Sequence, residues 1–315
     1  MAETNVLILG GGGQVGTELA TALKEIYGNS HVVISDVKPA EEAMVDGPYE
    51  VVNAIDKDAI LNVVKKHKIT QIYHLAALLS ATAEKNPMFG WQLNMDSLLH
   101  VLNIAKDNGI AKVYWPSSIA VFGPGTPRRD TPQDTVMDPN TVYGISKLAG
   151  ERWCEYYFQK YGVDVRSLRY PGLISYKTEP GGGTTDYAIH IFYEALKHAS
   201  YECFLSKDTM LPMLYMEDAI KATIDLMEAP AASVKVRSSY NLAGFSFTPA
   251  QLAEELKKHI PNFSITYKPD FRQAIADSWP GSIDDSRARA DWGWKPNFGM
   301  EDMVKDMLTN IKNKL

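Results

Sequence analysis

Tyr143 and Lys147 stand four residues apart in Tyr143-Gly144-Ile145-Ser146-Lys147, a spacing that puts both side chains on one face of a helix. A tyrosine hydroxyl ordinarily titrates near ~10, too high for a base at neutral pH. An ammonium beside it favours the phenolate and lowers that value. Such a pair can take a proton from an alcohol while the lysine also reaches a cofactor ribose. Taken alone, Tyr-x-x-x-Lys more often marks an ordinary surface helix. Here it is joined by Lys112-Val113-Tyr114-Trp115-Pro116-Ser117-Ser118, a strand-like run ending in two hydroxyl residues. Open parallel sheets hold their ligands at that end of a strand, where Ser118 can donate to a developing oxyanion.

The second constellation is Gly10-Gly11-Gly12-Gly13-Gln14-Val15-Gly16. Gly11, Gly13 and Gly16 satisfy G-x-G-x-x-G, and Gly10, Gly13 and Gly16 the looser G-x-x-G-x-x-G. Glycines allow a tight turn and close approach of backbone to a pyrophosphate, which then sits over a helix N-terminus. A bare motif of this kind is equally a flexible loop. This one follows a Val-Leu-Ile-Leu strand and opens the helix Gln14–Lys24, which favours the binding reading. Asp36 lies about 20 residues beyond Gly16, where a carboxylate accepts the adenosine ribose hydroxyls and repels a 2′-phosphate. That favours NAD over NADP. Lys38, two positions on, is a cation that can tolerate such a phosphate.

These residues need a scaffold. Short apolar runs at Asn5–Leu9, His31–Ser35, Glu50–Asn53, Gln71–Leu75, Lys112–Ser117 and Asp164–Arg169 read as buried parallel strands. Helices are expected to start near Gly13, Asp56, Asn86 and Tyr143. The alternation predicts an α/β fold, a Rossmann-type doubly wound parallel sheet with a smaller C-terminal substrate-binding domain. Residues 1–170 form the larger domain in this reading. The helix Met216–Met227 and strand Ser239–Leu242 return to it, within residues of about 215–245. Residues 171–214 and 246–315 form the smaller domain. Pro180-Gly181-Gly182-Gly183 reads as a turn or mobile loop.

Composition narrows the function classes. Hydrophobic residues make up 45% and charged residues 22% of 315, as in ordinary globular chains. A formal net charge of −6 makes a poor general nucleic-acid binder. No apolar run approaches bilayer-spanning length, and Met1-Ala2-Glu3-Thr4-Asn5 has no basic stretch, so neither a membrane partner nor a signal peptide is expected. Two cysteines, Cys154 and Cys203, are too few for a disulfide framework and suit a reducing, cytoplasmic compartment. The seven histidines include no H-x-x-x-H pair and no cysteines at metal spacing, so no metal site is expected. His74 ends an apolar strand and reads as a core histidine.

Together the residues resemble the extended short-chain dehydrogenase/reductases. The glycine cluster, Asp36, His74-Leu75-Ala76-Ala77, Asn94, Ser117-Ser118, Tyr143 with Lys147, and Arg169-Tyr170-Pro171-Gly172 match that pattern in order over nearly the whole chain. Within the family the chain is most similar to the L-threonine 3-dehydrogenases that look like nucleotide-sugar epimerases. Trp115–Pro124, Tyr170–Ser175, Gly183–Ala188 and Leu211–Met216 carry that similarity. The resemblance implies Tyr143 as acid/base, Lys147 as its partner and Ser118 orienting the substrate hydroxyl. It implies NAD against Gly10, Gly13, Gln14, Val15, Gly16, Asp36, Val37, Lys38, Asn53, Ala54, Leu75, Ala76, Ala77, Asn94, Tyr143, Lys147, Tyr170, Pro171 and Leu173, with Leu173 beside the nicotinamide. Ser80, Ser117, Thr185 and Trp279 are implied substrate contacts, with L-threonine as the small-molecule substrate. Asn53 departs from the family's usual Asp, although an amide can still accept a bond there. Trp153, Tyr156 and Tyr157 pack a core or, as the resemblance implies, a homodimer contact.

Two other function classes share the pattern. Nucleotide-sugar epimerases and dehydratases use the same Ser-Tyr-Lys set but need a larger, arginine-bearing pocket for a diphosphate. Gly181–Ala188 is neutral apart from Asp186, which suits a small substrate. Non-catalytic NAD-sensing regulators of this fold often lose the tyrosine or lysine, and both stand here.

Overall fold

Val6-Leu7-Ile8-Leu9 is apolar at every position because the strand it forms is buried on both faces. The computed structural model describes residues 3–40, 46–177 and 182–315. In chain order it runs β1 (Val6–Leu9), α1 (Gln14–Tyr27), β2 (Val32–Asp36), β3 (Tyr49–Val51), α2 (Lys57–Lys66), β4 (Gln71–His74), α3 (Ser80–Lys85), α4 (Pro87–Asn108) and β5 (Lys112–Tyr114). Then come β6 (Ser117–Ser118), α5 (Val142–Tyr161), β7 (Val165–Arg166), β8 (Leu168–Tyr170), β9 (Gly172–Ile174), α6 (Tyr187–His198), β10 (Ser200–Cys203), β11 (Leu211–Tyr215) and α7 (Met216–Glu228). The chain closes with β12 (Tyr240–Asn241), β13 (Phe245–Phe247), α8 (Pro249–Lys257), β14 (Ser264–Tyr267), α9 (Arg272–Asp277), α10 (Ser286–Trp292) and α11 (Met300–Lys312).

The main sheet is parallel in the order β3-β2-β1-β4-β5-β7. This is the doubly wound arrangement, and it reverses direction between β1 and β4, where such folds hold dinucleotides. Alternation along β1 sorts the two faces. Leu7 and Leu9 join Ile60, Val63, Leu98, Val101 and Trp115 on one side. Val6 and Ile8 join Leu19, Leu23, Ile220 and Leu226 on the other. A third core, built from α6, α8 and α11 around Phe192, Leu252 and Met307, lies beyond the strand ends. Among the described residues no helix is long and apolar enough to cross a membrane.

Local chemistry fixes the helix starts. Asp56 accepts the Ala59 N–H at the head of α2, and Thr141 accepts the Gly144 N–H at the head of α5. Two expected strands come out differently. Lys112–Ser117 breaks after Tyr114, because Pro116 has no N–H for a ladder, and β6 joins a second sheet in the order β12-β8-β6. Asp164–Arg169 breaks at Ser167, with β7 left in the main sheet and β8 in the second. Both breaks turn the chain out of the main sheet at the end where the site lies. Of the expected loop Pro180–Gly183, Pro180 and Gly181 lie outside the described residues.

Arg166 fastens α7 to the sheet. Its guanidinium, 1% exposed, donates to the carbonyls of Leu226 (2.6 Å), Met227 (3.0 Å) and Ala229 (2.7 Å) and pairs with Asp164 at 2.8 Å. It satisfies the free carbonyls at the end of α7. Arg166→Met leaves those carbonyls unpaired and Asp164 with Arg237 as its remaining guanidinium partner, a loss of about 1–3 kcal/mol. Urea unfolding should show a correspondingly lower midpoint; a midpoint equal to wild type would contradict this role.

Candidate active site

Helix α5 carries the reactive side chains because Tyr143, Lys147 and Glu151 are one turn apart on a single buried face. That face meets Pro116-Ser117-Ser118, the segment just turned out of the sheet. The Lys147 ammonium donates to the Pro116 carbonyl at 2.6 Å and lies 4.4 Å from the centre of the Trp115 ring. The Ser117 hydroxyl donates to Glu151 Oε1 at 2.6 Å, and the Ser118 side chain hydrogen-bonds the Tyr143 hydroxyl. Three consecutive residues thus meet three successive turns of one helix.

The electrostatics correct one expectation. Burial pushes the Tyr143 hydroxyl up to about 12, and the Ser118 hydroxyl is the group that pulls it back. Lys147 gives one of its three N–H groups to Pro116 and sits 5.6 Å from the centre of the Tyr143 ring, so it acts on the tyrosine through space and not by a hydrogen bond. Burial brings the Lys147 ammonium down to about 7, against the opposing pull of Cys154 and Glu151.

One cavity gathers most of the sequence-predicted residues. Gly10, Gly13, Gln14, Val15, Gly16, Leu75, Ala77, Ser80, Ser117, Ser118, Tyr143, Lys147, Tyr170, Pro171, Leu173, Thr185 and Trp279 line it. Ser117 borders the cavity, but its hydroxyl is turned to Glu151, which corrects its reading as a substrate ligand. Asp36, Val37, Lys38, Asn53, Ala54, Ala76 and Asn94 are not in that lining. Asp36 Oδ2 accepts the Gly12 N–H at 3.0 Å, so the carboxylate sits against the glycine loop. Asp36 Oδ1 accepts the Lys38 N–H at 3.3 Å. Asn53 Oδ1 accepts the Ile55 N–H, and the exposed Val37 side chain points to solvent. Asn94 bonds both the N–H and the carbonyl of Leu78 and reaches Ser146, holding the β4–α3 connection to α5.

Sequence reasoning missed Leu79, Thr184, Asp186 and Glu151. Leu79 and Thr184 line the cavity, and Thr184 lies 3.4 Å from the Ser80 hydroxyl. Asp186, noted only as the exception in a neutral run, is the one acidic side chain in the wall among the described residues. Glu151 carried a signal that was available: it repeats the four-residue spacing beyond Lys147. Among the described residues, no cluster of His, Cys, Asp and Glu is able to hold a metal ion.

The glycine end fits a dinucleotide. A Cβ on Gly10, whose φ is +80°, would stand 2.6 Å from the Ala76 nitrogen, so the turn closes only with glycine. A Cβ on Gly16 would stand 2.6 Å from the Gly11 Cα. No side chain caps α1 at Gly13, which leaves its first N–H groups to an anion. Gln14 Nε2 is buried without a protein partner at the cavity wall.

Glycine turn, strand-end aspartate and the Ser118–Tyr143–Lys147 grouping define a dinucleotide-dependent enzyme of the doubly wound α/β class. The chain belongs to the NAD dependent epimerase/dehydratase family, which matches residues 6–243, and its cofactor is NAD. It is 47% identical over 312 residues to an uncharacterized epimerase/dehydratase of Staphylococcus haemolyticus, covering 98% of each chain. It is 58% identical to the GalE-like L-threonine dehydrogenase of Cupriavidus necator in its holo form, with a TM-score of 0.96 over 98% of this chain and 99% of that one. A monomeric L-threonine 3-dehydrogenase from a metagenome is 46% identical, with a TM-score of 0.95 over 98% and 99%.

The Asp36 carboxylate keeps lone pairs free for two ribose hydroxyls. Asp36→Ala should lower kcat/KM for NAD⁺ about 10–100-fold, as loss of charge-assisted hydrogen bonds does, and raise relative use of NADP⁺. Unchanged selectivity in coenzyme kinetics would show that Asp36 does not read the ribose.

Proposed function

We propose that this protein is an NAD-dependent L-threonine 3-dehydrogenase that oxidises the C3 hydroxyl to 2-amino-3-oxobutanoate, a β-keto acid prone to lose CO2. The observation that carries the reading is the wall beyond Tyr143. Leu79, Ser80, Thr184, Thr185, Asp186 and Trp279 stand there, and among the described residues Lys147 is the one Lys or Arg in the lining. A sugar diphosphate needs arginines, whereas a small amino acid needs a carboxylate for its ammonium. Asp186 supplies one. Burial raises its carboxyl above the usual range against the N–H groups of Gly183 and Gly182, which donate to Oδ2 at 2.6 and 2.9 Å. A substrate cation beside it restores the charged form. The presence of both Tyr143 and Lys147 favours an enzyme over a regulator.

In this reading Ser118 and Tyr143 hold the C3 hydroxyl between them. Tyr143 takes its proton as general base, while Ser118 donates to the oxygen as it becomes a carbonyl. NAD⁺, when bound, supplies the hydride acceptor and a positive charge that favours the phenolate. Lys147 holds the Pro116 carbonyl and adds positive charge beneath the tyrosine. Trp279, 5% exposed, offers an apolar face for the substrate methyl group.

NADH should form from NAD⁺ and L-threonine, followed by absorbance, and a strong chelator should leave the rate unchanged because a tyrosine handles the proton. Tyr143→Phe should lower kcat about 10²–10⁴-fold with NAD⁺ binding kept. L-allo-threonine should be poor, since inversion at C3 turns its hydrogen away when the hydroxyl stays on Tyr143. L-serine should be poor as well, since it lacks the methyl group, worth about 1–3 kcal/mol of discrimination. No NADH from threonine together with turnover of a UDP-sugar would favour the epimerase reading.

The α4–α5 surface supports a homodimer. Met88, Phe89, Trp91, Ile145, Trp153, Tyr156 and Tyr161 are all exposed there, an apolar concentration that marks an interaction face. Tyr157 is buried and meets Trp153 at a tilt and Tyr156 edge-on. Light scattering should give twice the chain mass, and Trp153→Glu should halve it; a monomer at every concentration would refute the dimer.

A further inference from the structure

We propose that Glu151 is a positioning residue of the reaction, holding Pro116-Ser117-Ser118 against Lys147 and Tyr143. This rests on the dehydrogenase reading of the site. Glu151 is fully buried and both of its oxygens are engaged. Oε1 accepts from Ser117 at 2.6 Å and from Arg169 Nε at 2.9 Å, and Oε2 accepts from Arg169 Nη2 at 2.8 Å. Arg169, 2% exposed, is held in turn by the Gln133 carbonyl and Asn241 Oδ1, each at 3.0 Å, and lies over the Phe122 ring at 5.3 Å. A carboxylate seated between two strand ends and a helix is rigid, because moving it exposes an unpaired charge in a dry interior.

The Ser117 bond fixes the direction of the chain on either side. Pro116 then aims its carbonyl at Lys147, and Ser118 aims its hydroxyl at Tyr143. The charge acts through space. Lys147 faces Tyr143, Glu151 and Cys154 on α5, and His74 at the end of β4, while Arg169 on β8 stands behind Glu151. Burial holds the His74 imidazole down at about 3 and pushes the Cys154 thiol far above its ordinary range, so both are neutral near pH 7. Glu151 remains the anion on the Lys147 side of the helix. Lys147 itself titrates near neutrality, so a neighbouring charge decides its state.

The test compares wild type, Glu151→Gln and Ser117→Ala, each checked by thermal melting and by tryptophan-fluorescence titration with NAD⁺. The Lys147 titration is followed by ¹³C NMR of lysine-labelled protein, with its signal assigned by loss in Lys147→Met. Glu151→Gln should release the Lys147 proton at least about one pH unit lower and cut threonine turnover at pH 8 at least about tenfold. Ser117→Ala should leave the Lys147 titration in place and lower kcat about tenfold, with KM for threonine nearly unchanged. A folded Glu151→Gln with wild-type titration and turnover overturns the proposal. Should Glu151→Gln not fold, Ser117→Ala decides, and wild-type kcat overturns it. If wild type oxidises no threonine, the substrate reading fails, while the NMR titration, which needs no substrate, still decides the role of Glu151.

Discussion

The arrangement of this site depends on the buried ion pair between Glu151 and Arg169. Both partners are within 2% of full burial, and an unpaired charge at either position would be strongly unfavourable. Around this pair the small sheet β12-β8-β6 closes. Arg169 on β8 reaches Asn241 on β12, and Glu151 reaches Ser117 on β6. Helix α5 is thereby pinned to the segment that leaves the main sheet at Pro116. Tyr143 and Lys147 inherit their positions from that attachment.

Burial then sets the chemistry. The same exclusion of water pushes Tyr143 up to about 12 and brings Lys147 down to about 7, each toward its neutral form. A general base at neutral pH needs the opposite of both shifts. Ser118 begins the correction at the tyrosine and Glu151 at the lysine, and a cationic nicotinamide, when bound, favours the phenolate as Ser118 does. An enclosed site of this kind makes each charge count for more than it would in water.

Much of this was legible in the sequence. The alternation of apolar runs and helices gave the doubly wound sheet, and the glycine cluster with Asp36 located its dinucleotide end, since both depend on local patterns. The strand breaks at Pro116 and Ser167 were not legible, because a continuous apolar run does not reveal where a strand changes sheets. Arg169 was read as part of a motif, yet its pairing with Glu151 joins residues on different elements and leaves no local trace. Lys147 showed the limit of spacing arguments. Four residues place it on the tyrosine's face, but the Pro116 carbonyl and the Trp115 ring decide where its ammonium goes. Asp186 stood out by charge in a neutral run, and only the folded cavity shows that it is the one acidic group in the wall among the described residues.

The central claim is that Ser118 and Tyr143 grip a substrate hydroxyl while Asp186 holds an ammonium. A crystal structure of the unreactive complex with NADH and L-threonine tests it most directly. The account predicts the C3 hydroxyl oxygen within about 2.6–3.2 Å of both the Tyr143 and Ser118 hydroxyl oxygens, with the ammonium against the Asp186 carboxylate. A threonine bound with its C3 hydroxyl turned away from Tyr143, or with its ammonium on another group, would contradict it.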